Sequence, residues 1–263
     1  MVVIALIGTL GAVVWLILLR EPVYNGRKLS QWLEMYVAPQ QSVELDSQAD
    51  QAVRHIGAKA IPTLLRMAGA QDSRLTLNCL ALLRKQDVVE IRYHGAIRRN
   101  VMAEEGFRAL GADASQAVPG LIAICLRASP AKSWGPAITS LGNIGPPAAD
   151  AVPLLVSAAT NADPGISSVA IVALGRIHGQ PGLAVPVLGR LLHHTNRTTF
   201  YFGGDPGLDN TIEALENFGP AARLAVPDLL YAMNATDDPN QRFHLANALK
   251  AIDPEAAAKA GVR

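Results

Sequence analysis

The sequence predicts an all-α protein: a right-handed solenoid of stacked helix pairs behind an N-terminal transmembrane helix. Three observations carry this prediction. An apolar run fills residues 2–19. A tripeptide, Ala-Ile/Val-Pro, recurs through the rest of the chain. The composition is 50% hydrophobic but only 5% aromatic. The core is then built from Ala, Leu, Val and Ile, which suits close-packed helices better than a β-sandwich. With 263 residues the chain is long enough for a sizeable core. The expected division is an anchor at 1–20, a juxtamembrane segment with an N-terminal capping helix at 21–49, and a repeat solenoid at 50–263.

The first element is the run Val2–Leu19, which holds no charged residue. At ~1.5 Å per helical residue it spans roughly 27 Å, about the thickness of a bilayer core. Trp15 suits one membrane interface. A cleaved signal peptide is the competing reading. Against it stand the length of the run and the lack of a small-x-small site in Leu18–Gly26. The absent basic n-region weakens both. Orientation stays open: Arg20, Arg27 and Lys28 follow the span and favour a cytoplasmic domain, whereas large domains behind N-terminal anchors are more often translocated.

The repeat comes next. Ala-Ile/Val-Pro occurs five times, with its prolines at Pro62, Pro119, Pro153, Pro186 and Pro227, spaced 57, 34, 33 and 41 residues apart. A glycine closes an apolar stretch five to eight residues before each: Gly57, Gly111, Gly145, Gly179 and Gly219. Glycine past a helix end takes a left-handed cap without a Cβ penalty. Proline opening the next helix surrenders an N–H that has no partner there. Each unit is therefore helix A, a glycine turn, and helix B beginning at the proline.

Counted from the proline, the second residue of helix B is always leucine: Leu64, Leu121, Leu155, Leu188 and Leu229. The fifth is Met67, Ile124, Ala158, Leu191 or Ala232, and the sixth is Ala68, Cys125, Ala159, Leu192 or Met233. These positions share one face and define the buried stripe. The fourth residue is Arg66, Ala123, Ser157, Arg190 or Tyr231, a chemically unconstrained row expected to face solvent. A two-helix unit cannot bury its apolar face alone, so neighbours stack. The C-terminal stretch 246–263, with a shortened and charged second helix, reads as a cap.

These elements, above all Leu141-Gly142-x-Ile144-Gly145 and Ala151-Val152-Pro153-x-Leu155, resemble HEAT-repeat proteins, including the HEAT-like repeats of phycobilin lyases. The resemblance covers roughly residues 50–263. A closer resemblance is to bacterial membrane-anchored HEAT-repeat proteins, which pair an apolar N-terminus with an element seen here as Tyr24-Asn25-Gly26-Arg27-Lys28-Leu29-Ser30-Gln31-Trp32-Leu33. It implies a single-pass protein of the bacterial inner membrane, and no enzymatic activity. In this element Ser30 suits a helix N-cap. Trp32, Leu33 and Tyr36 are expected to cover the open N-terminal end of the stack.

Two departures from regularity are candidate sites. The 57-residue gap between Pro62 and Pro119 contains a further apolar helix, then a stretch with Arg92, Arg98 and Arg99. These arginines suit an anion contact, or simply a solvated connection. Before the fifth repeat lies an excess holding Phe200, Tyr201 and Phe202 beside a Gly/Pro-rich turn. Clustered loop aromatics suit a partner contact, or fold back onto the stack.

Chemistry-bearing motifs are absent from the sequence. Adjacent His193 and His194 point about 100° apart on a helix and do not chelate. Cys79 and Cys125 sit apart in apolar helical runs and read as small hydrophobes. No metal-ligand set, phosphate loop or cofactor motif is present, so no metal or cofactor is expected. A net charge of +1 argues against nucleic acid as a partner. The expected function is a non-enzymatic, membrane-tethered scaffold that binds a protein or peptide along its concave face. Arg66, Arg190 and Tyr231 serve as anchors and Phe200, Tyr201 and Phe202 as a clamp. The rival is a lyase or chaperone-like enzyme acting on a protein-bound small molecule.

Overall fold

The computed structural model describes residues 21–38, 42–73, 95–127, 134–193 and 206–262. The run 2–19, Arg92, and the Phe200–Tyr201–Phe202 cluster lie outside the described residues. The fold is all-α apart from one two-stranded hairpin among the described residues. The chain divides into two compact units, Met1–Gly120 and Leu121–Arg263.

The first unit begins with strands β1 (Val23–Tyr24) and β2 (Arg27–Lys28), antiparallel, with Val23 opposite Lys28 and Tyr24 opposite Arg27. Asn25 and Gly26 both hold positive φ, 48° and 75°. Two such residues make a turn whose twist matches the flanking strands. Helix α1 (Leu29–Leu33) follows and tightens into a 3-10 turn, Glu34–Val37. Trp32, Leu33 and Tyr36 are buried, and α1 packs against α2 (Val43–Ile56). Trp32 Nε1 donates to Tyr24 O at 3.1 Å, which ties the helix to the hairpin.

Ser30 does not cap this helix. It lies inside α1, and its hydroxyl donates to Glu21 Oε2 at 2.6 Å. The hairpin, ending at Lys28, delivers the chain into the helix two residues earlier. Ser42 is the cap of α2, accepting from Leu45 N at 3.2 Å. Among the described residues helices α3 (Ile61–Ala68) and α4 (Ala96–Leu110) follow, with a 3-10 link, Gly111–Ala117, into α5 (Val118–Arg127). By length and composition the stretch Ala96–Arg127 would also cross a membrane. Here it is two repeat helices separated by that link.

In the second unit the helices form two layers. Helices α6 (Trp134–Ile144), α8 (Pro164–Ile177), α10 (Pro206–Phe218) and α12 (Pro239–Ile252) each pack on the next. Helices α7 (Val152–Ala159), α9 (Pro181–Leu191) and α11 (Val226–Ala235) do the same behind them. A short helix α13 (Pro254–Lys259) closes the chain against α12. Among the described residues three helices start behind an Asp that precedes a proline: Asp163, Asp238 and Asp253 accept backbone N–H bonds at 2.8–3.3 Å. The carboxylate fills orphan donors while proline supplies helical φ.

The sequence signals hold with three corrections. First, four of the five prolines stand at the second residue of their helix, behind a 3-10 link, not at its first. Secondly, Pro186 lies inside α9, because Pro181 already opens that helix. Thirdly, the capping glycines are not left-handed helical. Gly57, Gly111 and Gly145 combine φ of 60°, 54° and 78° with ψ of −140°, −130° and −145°, a region open essentially to glycine alone. Gly179 is different again. The reversed residues there are His178 and Gln180, and a Cβ on Gly179 would lie 3.0 Å from Ala149 Cβ. It is glycine because α9 enters close against the preceding link.

The second-position leucines are all 0% exposed. The sixth position is buried except at Met233, whereas the fifth is buried only as Ala158 and Ala232. Met67, Ile124 and Leu191 sit at the margin of the stripe, half-exposed.

Candidate functional site

The fourth-position row of the second helices reaches solvent as its chemistry suggests. Arg66, Ser157, Arg190 and Tyr231 are exposed and Ala123 is half-exposed. Arg66 belongs to the first unit, where its Nη2 donates to Thr63 Oγ1 at 3.1 Å. In the second unit, Arg190 and Tyr231 stand on neighbouring helices α9 and α11. The Tyr231 ring stacks on His193 with centroids 4.5 Å apart and planes tilted 32°. His193 Nε2 lies 2.6 Å from Asp228 Oδ1. A Cβ on Gly189 would press on the Asp228 carboxylate, which would have to shift from its place beside His193. Tyr231 remains 57% exposed after stacking, so one ring face is held and the rest is available. His193 thus braces this step of the stack.

The candidate anion residues lie in the first unit. Arg99 Nη2 pairs with Asp72 Oδ1 at 3.2 Å, and Asp72 also accepts from Ala96 N at 2.9 Å. That carboxylate caps α4 and occupies Arg99. Arg98 is half-buried on the same helix. Farther along, Asp50 accepts from Tyr36 Oη at 2.6 Å and from Arg108 Nη2 at 2.9 Å, and Arg108 Nε reaches Glu105 Oε2 at 2.6 Å. Arg54 Nε donates to Ala109 O at 2.9 Å. Burial and the bond to Asp50 push the Tyr36 phenol above its ordinary range. The network edges a groove of about 480 Å³, but its charges bind one another and lock the 3-10 turn Glu34–Val37, α2 and α4 together. Burial, reinforced by Glu105, raises the neighbouring Glu104 carboxyl to about 7.

A second surface was not foreseen in the sequence reading. The first-helix layer of the second unit carries a groove of about 440 Å³, lined by Gly142, Asn143, Gly175, Arg176, His178 and Asn217. Asn143, Arg176 and Asn217 occupy the same repeat position, two residues after Leu141, Leu174 and Leu215. Arg176 Nη1 donates to Asn143 Oδ1 at 2.6 Å. The helices approach closely because Gly142 faces Ala173 and Gly175 faces Ala214, with ideal Cβ positions 3.0 and 2.7 Å from the opposing Cα. The sequence signal was the recurrence of Leu-Gly-x in successive helices. What it lacked was any sign that the variable residue borders a concavity.

Among the described residues no three His, Cys, Asp or Glu side chains are placed to hold a metal ion. Cys125 is fully buried, and burial pushes its thiol up to about 11. Both grooves are shallow and open, without a nucleophile and base brought together.

Residues 118–199 match a family described as HEAT repeats. No curated protein matches the chain. Two crystal structures of engineered proteins are similar to it. One is 18% identical with a TM-score of 0.46, covering 89% of this chain and 67% of its own. The other is 15% identical with a TM-score of 0.42, covering 86% and 96%. The segment 118–199 is thus HEAT-like, and the same helix, 3-10 link and helix pattern recurs beyond it among the described residues, which makes the chain a helical repeat protein.

Proposed function

We propose that this protein is a non-catalytic protein-binding scaffold, tethered to a membrane by residues 2–19. The observation that carries the reading is the contrast within the second helices. The leucine two residues after each proline is 0% exposed in all five units. The residue two places further on is arginine, alanine, serine, arginine and tyrosine in turn, and mostly faces solvent. The repeat fixes a frame and leaves a row free to vary. Neighbouring helices lie ~10 Å apart, about three residues of an extended chain. A peptide laid across α9 and α11 therefore meets one such side chain per step. Tyr231, braced on His193, is a preorganised aromatic anchor of the type that dominates interfaces. The tether rests on the eighteen uncharged residues of Val2–Leu19.

Co-purification from membranes tests both parts. The protein is expected in the membrane fraction after carbonate extraction, with a protein partner that is lost in Arg190→Ala/Tyr231→Ala at unchanged helicity. A bound small molecule with no protein partner would refute the scaffold. Release by carbonate, or a mature N-terminus near residues 20–25, would refute the tether.

A further inference from the structure

We infer that the first-helix groove of the second unit seats an acidic side chain of a protein partner, with Arg176 as its receptor. Four described arginines, Arg54, Arg99, Arg108 and Arg223, each reach a carboxylate within the fold. Arg176 is held by an amide oxygen instead, at 2.6 Å from Asn143. An amide fixes the guanidinium in place and is neutral, and among the described residues Arg176 pairs with no carboxylate. The fork keeps further N–H donors in the geometry that takes a carboxylate bidentate. A held side chain also loses less rotamer entropy on binding than a free one.

The surroundings fit an anion. Asn217 Nδ2 leans over the groove floor, 3.5 Å from where a Cβ on Gly175 would stand, and adds a neutral donor. His178 lines the edge, with its Nδ1 3.1 Å from Arg176 O. Among the described residues no carboxylate lines the groove; Glu216 precedes Asn217 but is not part of it. Gly142 and Gly175 also line it and contribute no side chain to the cavity. The volume, about 440 Å³ and open, suits a side chain carried on an extended main chain better than an enclosed small molecule. This surface lies on different helices from Arg190 and Tyr231. The inference adds partner chemistry to the scaffold reading and rests on it only in that the partner is a protein.

The test uses full-length protein in lipid nanodiscs and a fluorescein-labelled hexaglutamate peptide, read by fluorescence anisotropy. Saturable binding that weakens with salt is expected. Arg176→Gln should weaken it at least tenfold, and Arg190→Gln should leave it within twofold. Asn143→Asp is the second variant: it gives Arg176 an internal carboxylate, so it should abolish binding while raising the unfolding midpoint. If Arg176→Gln binds within twofold of the parent, the inference falls while the Arg190–Tyr231 reading stands. Displacement of the peptide by an equal concentration of inorganic phosphate would make this a free-anion site and overturn the assignment.

Discussion

Replacing Gly175 by alanine tests the packing that creates the groove. Gly175 lies inside α8, where alanine is intrinsically better by about 0.8–1 kcal/mol. The new methyl would stand 2.7 Å from Ala214 Cα and 2.9 Å from Ala214 Cβ. The first of these is backbone and has no rotamer by which to yield. Helix α10 must therefore retreat by about 0.7 Å, loosening dispersion contacts along the α8–α10 interface. Overpacking of this kind costs about 1–3 kcal/mol. The net expectation is a loss of about 1 kcal/mol, or a drop of roughly 2–4 °C in Tm. Gly182 is the control: it is helical, but a Cβ there meets nothing within 4 Å. Gly182→Ala should raise stability by about 0.4–1 kcal/mol, through the unfolded chain. Urea unfolding followed by far-ultraviolet circular dichroism measures both. The same substitution must then move the two midpoints in opposite directions. Equal shifts, or a stabilised Gly175→Ala, would show that the close approach of α8 and α10 does not constrain the site.

Two further outcomes follow from titratable groups that burial shifts. The Glu104 carboxyl is raised to about 7 from 4.5, by burial first and Glu105 second. The folded state therefore holds this proton more tightly than the unfolded chain, and its contribution is complete below about 4.5 and lost as pH rises through about 7. Glu104→Gln should accordingly match the parent at pH 4 and exceed it at pH 8, by at most about 1 kcal/mol because the group is half-exposed; a constant difference across that range in thermal melts contradicts the burial argument. Cys125, fully buried with its thiol at about 11, should resist a thiol-specific reagent at pH 8 in native protein and react fully in urea, read by peptide mass spectrometry. Rapid native labelling of Cys125 would place it outside the core.

The sequence by itself determined the repeating unit, because its signals are local. A glycine that must hold φ near 60° and a proline that suits the first turn of a helix mark ends without reference to any neighbour. The leucines at Leu64, Leu121, Leu155, Leu188 and Leu229 were legible as core for the same reason: each lies at one fixed angle from its own helix start. The solvent-facing row of Arg66, Ala123, Ser157, Arg190 and Tyr231 was legible from its lack of chemical constraint, and all but the half-exposed Ala123 are exposed. Tertiary structure decided what depends on a second helix. Pro186 carries the same tripeptide as its counterparts yet lies inside α9, since Pro181 begins that helix earlier. Gly179 matches the other turn glycines in sequence but serves the approach to Ala149. Ser30 looked like a cap until the hairpin before it fixed the start of α1 at Leu29 and gave its hydroxyl to Glu21. The groove at Arg176 was out of reach for the same reason. Asn143, Arg176 and Asn217 lie dozens of residues apart, and only helices brought together by glycine against alanine set them around one concavity. Helix ends are specified by backbone conformation within a few residues, whereas a binding surface is specified by the distance between helices, which no single segment encodes.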